Sequence, residues 1–179
     1  MRNGRAVFVG VLCAGLSMWG LAGVAAQAPK PQAGGVQAQR VHTDLVHLMR
    51  GIIYPASNVI FAVQSVDPAT IKPENDPSTS PNPLTSTYGQ WAAVENAGLA
   101  LAESANLLTI PGRVCSNGWP VPMQNADWRM WVQELRDAGM ASYKAAQSKN
   151  QDAIIDAAGV VAEACSHCHD KYREVKVRC

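Results

Sequence analysis

Cys165, Cys168 and His169 stand at i, i+3 and i+4 in the stretch EACSHCHDKYREVKVRC, residues 163–179. On a helix these three side chains share one face. C-x-x-C-H is the attachment pattern of c-type haem. The chemistry needs that spacing: two thiols add across the two vinyl groups of one porphyrin edge, and the next imidazole swings beneath the iron as proximal ligand. Ten residues of the sequence follow His169, with neither Met nor His among them. A protein ligand on the other side of the iron must therefore come from upstream.

Three other chemistries suit the same residues less well. A structural zinc site wants four ligands, and no second C-x-x-C or H-x-x-x-H is present to join Cys165, Cys168 and His169, leaving only Cys179 or His167 as a fourth. A thioredoxin-type pair wants a strand–loop–helix setting that the surrounding pattern does not provide. Two inert buried cysteines beside a surface histidine are the plainest alternative. An exported chain with both thiols on an apolar stripe argues against it.

Export is read from the other end. Arg2 and Arg5 precede an uncharged run from Ala6 to Ala26, and Val24-Ala25-Ala26 places small residues where a signal peptidase reads them. The expected organisation is a signal peptide over 1–26, a linker over 27–37 and one domain over 38–179. An uncleaved anchor is the rival, although Gly10, Gly15, Gly20, Gly23 and Ser17 thin the hydrophobicity of the run. Apolar sequence continuing past Cys13 speaks against a lipoprotein signal. The expected location is periplasmic, free of the membrane once the signal is cleaved.

Without Arg2 and Arg5 the chain carries 13 basic and 14 acidic residues, which is no footprint for nucleic acid. Hydrophobic residues make up 47% and charged residues 16%, enough apolar surface for a packed core.

Four segments carry helical periodicity. Leu45, Met49, Ile52, Ala56, Val59 and Val63 step by four and three, with Pro55 inside the run to kink it or start a second piece. Trp91, Val94, Gly98, Leu101, Ala105 and Leu108 mark a second helix over about Thr87 to Leu108, stopped by Pro111 and Gly112. Trp128, Trp131, Leu135, Ala138 and Ser142 mark a third, over about Asp127 to Ser148. After a turn at Asn150, the stripe Ile154, Ala158, Val161, Cys165, Cys168, Tyr172 and Val175 marks a fourth, over about Asp152 to Val175. Between the first two helices, five prolines from Pro68 to Pro83 predict a long surface loop. Arg113 to Asn125 reads as a second irregular loop. No strand periodicity is long enough for a sheet, so the fold class is all-α, an antiparallel four-helix bundle.

The tail CSHCHDKYR at the end of a four-helix chain resembles the class II cytochromes c, the cytochrome c′ superfamily. In that family the motif reads C-x-x-C-H-x-x-Y-R, which Cys165, Cys168, His169, Tyr172 and Arg173 match position by position. The layout match covers essentially the whole mature chain, and the terminal motif is its specific part. The resemblance implies one covalent haem c, held by two thioethers with His169 on the iron, and a basic residue near the haem propionates. Arg173, one turn beyond His169, is the candidate for that role; its plainer reading is a solvated charge at a helix C-terminus.

Family members divide on the sixth ligand. Some present a small apolar residue from the first helix and leave an open iron that binds gases; others present a methionine and carry electrons. Here Met49 lies on the inward stripe of the first helix, and "LMRG" is similar to the stretch around the ligand in Met-ligated relatives. The alternative for Met49 is ordinary core packing. His47 points to another side of the helix, His42 is in phase with the stripe as a bis-histidine candidate, and Leu45 or Val46 would instead merely cover the iron.

The function expected from these residues is one-electron carriage between periplasmic donor and acceptor proteins, with no bond-making catalysis. A gas-binding cytochrome c′ with an open distal face and a non-haem metal or redox-sensing bundle are the alternatives. Cys115 and Cys179 remain once the haem has its pair, and a disulfide between them would tie the second loop to the chain end. A homodimer built on the first two helices is in keeping with the resemblance. The two long loops, which exceed what a minimal bundle needs, would either shape a partner surface, shield a haem edge or serve as solvated connectors.

Overall fold

Asp44 opens the first helix, accepting a hydrogen bond from the His47 amide at 2.8 Å and so satisfying one of the donors a helix start leaves over. In this computed structural model, which describes residues 39–173, helix α1 runs over Leu45–Ala62. The signal peptide, the linker, Val175 and Cys179 named above lie outside the described residues. Within α1 an α-helical turn, Leu45–Leu48, passes into a π-helical segment, Met49–Ile53, and then into α-helix over Tyr54–Ala62.

Pro55 explains the wide turn. In a continuous α-helix it would leave the Gly51 carbonyl without a donor and drive its ring into that same carbonyl. The π segment takes one residue more, closing a hydrogen bond from the Tyr54 amide to the Met49 carbonyl. The helix therefore continues through the proline, and its register slips. Ile52, expected on the inward stripe, is 41% exposed, while Ile53 is buried at 5%. Upstream, His42 precedes the helix and is exposed, so it shares no register with the stripe.

The other helices are α2, Gln90–Leu107; α3, Ala126–Ser148; and α4, Gln151–Tyr172. Their buried faces include Trp91, Val94, Leu101, Ala105 and Leu108 along α2, Trp128, Leu135 and Ala138 on α3, and Ile154, Ala158, Val161 and Tyr172 on α4. The expected stripes are thus the core. Lys149 turns the chain in the left-handed conformation at φ 53°, and the Asn150 side chain caps α4 on the Ala153 amide at 3.0 Å.

The described residues are all-helical apart from loops, turns and one isolated bridge, Val114 to Pro120, and the four helices pack against one another. Their directions alternate. Gly98 and Ala102 of α2 meet Tyr143 and Gly139 of α3 in reverse order. Asp127 and Glu134 of α3 pair with Lys171 and His167 of α4 in reverse order again. Gln151, at the start of α4, bonds to the Val63 carbonyl at the end of α1. By length and composition α1 is apolar enough to cross a membrane, but Leu45, Leu48, Ile53 and Ile60 are buried within the bundle.

The two long loops take opposite ends. The proline-rich one joins the end of α1 to the start of α2 and holds three single 3-10 turns, Pro68–Thr70, Pro77–Thr79 and Pro83–Thr85, each preceded by Asp67, Asp76 or Asn82. It is not wholly solvated, because Pro68 and Leu84 are buried. The second loop lies where α1 and α3 begin and α2 and α4 end. There the Leu45 amide bonds to the Val114 carbonyl at 2.9 Å, and Asn125 donates to the Tyr172 hydroxyl at 3.0 Å.

Candidate functional site

A cavity of about 510 Å³ opens at that second end. From α4 its wall takes Ala164, Cys165, Cys168, His169, Tyr172 and Arg173; from α1, Leu45, Val46, Met49, Arg50, Ile53, Tyr54 and Ser57. Trp128, Trp131, Val132 and Leu135 of α3 close a further side, with Leu108 at the end of α2. All six residues singled out in the sequence therefore line one cavity: Met49, Cys165, Cys168, His169, Tyr172 and Arg173.

The α1 wall depends on the π turn. Leu45, Met49, Ile53 and Ser57 form one ridge at a constant step of four, and Val46, Arg50 and Tyr54 form the next. In a regular α-helix each step of four overshoots a full turn by about 40°. The wider turn between Met49 and Ile53 takes up part of that drift, so both ridges stay on the cavity side along the wall.

On α4 the two thiols are free and half-buried. Burial raises the pKa of Cys165, and burial first, then the neighbouring Cys165 and Asp127, pushes Cys168 up to about 11. Redox-active thiol pairs have the opposite shift, toward thiolate at neutral pH. Among the described residues no cluster of three His, Cys, Asp or Glu side chains is arranged to hold a metal ion. His167 lies outside the cavity wall and bonds to Glu134 of α3 at 2.9 Å. That hydrogen bond raises its pKa above the usual histidine value.

Tyr172 holds the motif in place. It is buried, its hydroxyl donates to Asp127 Oδ1 at 2.8 Å and accepts from Asn125, and its ring meets Trp128 and Trp131 edge-on at 5.2 and 5.7 Å between centroids. Lys171 pairs with the same Asp127 carboxylate. The start of α3 and the end of α4 are so joined directly beside Cys168 and His169. Arg50, Tyr54 and Arg173 are exposed where they line the cavity, which places two guanidinium groups toward its solvent side.

His47 is 68% exposed and bonds to Asp44, as its place on the helix predicts. His42 is not part of the cavity wall. Cys115 is buried and disulfide-bonded, and Cys179, its expected partner, lies outside the described residues.

Sequence reasoning assigned no site role to Arg50, Tyr54, Ser57, Leu108 or the α3 aromatics. Trp128 and Trp131 were legible as inward residues through their spacing with Leu135. The ridge of Val46, Arg50 and Tyr54 was hidden, because two steps of four drift by about 80° in a regular helix and Arg50 breaks the apolar pattern. Comparison with protein-family models, curated proteins and solved structures finds no match to this chain.

Proposed function

We propose that this protein is an exported monohaem c-type cytochrome that carries one electron at a time between periplasmic redox partners. The observation that carries the reading is the convergence of Cys165, Cys168, His169 and Met49 on one apolar cavity whose volume suits a cofactor-sized ligand. The donor set fits haem c: two free thiols on one wall, an imidazole beside them, a thioether on another helix, and aromatic side chains closing a third side.

Bound there, haem c supplies a ferric/ferrous couple. Cys165 and Cys168 would hold the porphyrin through thioethers, and His169 would bind the iron. Met49 would supply a further iron ligand, and a thioether there would favour the reduced state. Trp128, Val132, Leu135 and Ile53, which line the cavity, would keep water from the cofactor. Tyr172 fixes the end of α4 that carries His169 through Asp127 and Asn125. Arg173 would meet a propionate. In this reading the chain acts as a carrier and performs no bond-making step on a substrate. The layout resemblance to the class II cytochromes c supports the same reading and extends it to a homodimer.

The test is to express the full chain in cells competent for haem attachment and to record its mass and its visible spectrum, ferrous, with and without carbon monoxide. The expected protein carries one covalent haem, and its low-spin spectrum ignores the gas until Met49→Ala opens the site. A high-spin spectrum that responds to carbon monoxide would assign a gas-binding function with an open distal face. Absence of added mass and of visible colour would overturn the cytochrome reading in favour of a non-haem bundle.

A further inference from the structure

Arg113 is 4% exposed, and no salt bridge joins it to a carboxylate among the described residues. Its Nε donates to the Leu107 carbonyl at 2.9 Å and its Nη1 to the Thr43 carbonyl at 2.8 Å. The sequence reading left it as one residue of an irregular loop. A buried guanidinium whose partners among the described residues are neutral carbonyls keeps its full charge, because arginine does not give up its proton in proteins.

Its position ties it to the cavity. Leu107 precedes Leu108, a lining residue whose own carbonyl accepts from the Trp128 indole at 3.3 Å. Thr43 stands two residues before the lining residue Leu45, whose amide bonds to Val114, the neighbour of Arg113. The guanidinium therefore lies behind the end of the cavity where α1 begins and α2 ends. Adding an electron to a group in that cavity lowers its positive charge, so a nearby fixed cation favours the reduced form. Solvent and salt screen the exposed Arg50 and Arg173, and they screen a buried charge much less.

We propose that Arg113 raises the reduction potential of the cofactor in this cavity through its buried charge, which no carboxylate among the described residues pairs with. This rests on the cytochrome reading above. The role differs from that of a ligand or of a propionate partner, since Arg113 is not among the lining residues.

The experiment uses the exported, haem-loaded full chain. Midpoint potentials are measured for the wild type, Arg113→Gln, Arg113→Lys and Arg113→Met at low and high ionic strength, beside thermal unfolding and the visible spectrum of each. The expected result is a lower potential in Arg113→Gln and Arg113→Met, undiminished by salt, and a potential near wild type in Arg113→Lys. All three substitutions lose stability, because none reproduces both carbonyl bonds. Arg113→Met keeps the apolar stem and serves where Arg113→Gln does not accumulate. An unchanged potential in the neutral variants would overturn the proposal. So would a fall in Arg113→Lys as large as in Arg113→Gln, or a changed ligation spectrum, since either assigns the effect to geometry. A wild type without covalent haem would overturn the cytochrome reading itself, and mass spectrometry shows that before any titration.

Discussion

Gly98 of α2 and Gly139 of α3 meet backbone to backbone where their helices cross. A β-carbon added to Gly98 would lie 2.6 Å from the Tyr143 nitrogen, and one added to Gly139 would lie 2.6 Å from the Ala102 nitrogen. Both obstructing atoms are main chain, so a larger residue forces the helices apart. The close approach fixes α3 against α2, and α3 carries Trp128, Trp131, Val132 and Leu135 to the cavity.

The same substitution should therefore have opposite signs at two glycines. Gly98→Ala gains helix propensity of about 1 kcal/mol but overpacks the crossing, which costs about 1–3 kcal/mol. Net destabilisation is expected, read as a lower Tm. Gly159 is on the exposed side of α4 with nothing within 4 Å of an added β-carbon. There Gly159→Ala should stabilise by about 0.5–1 kcal/mol. Equal effects at the two sites would refute the close-packed crossing.

Pro55→Ala restores a backbone donor and removes the ring that a regular helix cannot hold. The π turn should then relax toward α-helix, bringing Ile52 inward in place of Ile53 and turning Met49 relative to the rest of the wall. On the cytochrome reading, the haem-loaded variant is expected to show a stronger carbon monoxide response than the wild type. A variant spectrally identical to the wild type in both tests would show that Met49 does not depend on the wide turn.

Acid should loosen the junction of α3 and α4 at Asp127. The Lys171 hydrogen bond, then that of Tyr172, holds the Asp127 carboxyl below its usual 3.8. A carboxylate with a depressed folded-state pKa stabilises above its unfolded value, and that contribution is lost as pH falls through the lower folded value. Tm should drop more steeply below about pH 4 in the wild type than in Asp127→Asn, which keeps an acceptor for Tyr172 but carries no titrating charge. Parallel acid profiles would exclude Asp127 from the transition.

Cys115 offers a covalent test of the second loop. Cys165 and Cys168 are free, so in the proposed exported form, from which Cys13 is removed, Cys179 is the expected partner. Peptide mapping of the mature, unreduced protein should recover Cys115 linked to Cys179. Recovery of Cys115 with Cys13 would instead show that the leader is retained.

Much of the bundle was legible along the chain because periodicity is a local property. The stripes through Trp91, Trp128 and Ile154 needed only the repeat of a regular helix, and the buried faces follow them. The terminal cluster was legible for a similar reason: Cys165, Cys168 and His169 are within two helical turns, so their shared face needs no tertiary information. Met49 was found as one residue of a stripe, and the cavity it shares with Cys165 required α1 and α4 to pack side by side.

The sequence by itself determined the helical class, the segments that would pack and the covalent chemistry that C-x-x-C-H allows, since each rests on neighbours within a few residues. Only the tertiary structure decided the register of α1 beyond Met49, where accommodating Pro55 exchanges Ile52 for Ile53. It alone decided that Arg113 is buried, because its two partners, Thr43 and Leu107, come from segments that only the folded loop brings together. Periodicity assumes a uniform helix and says nothing about which loop residue a fold encloses. Both of these outcomes are set by packing between distant parts of the chain.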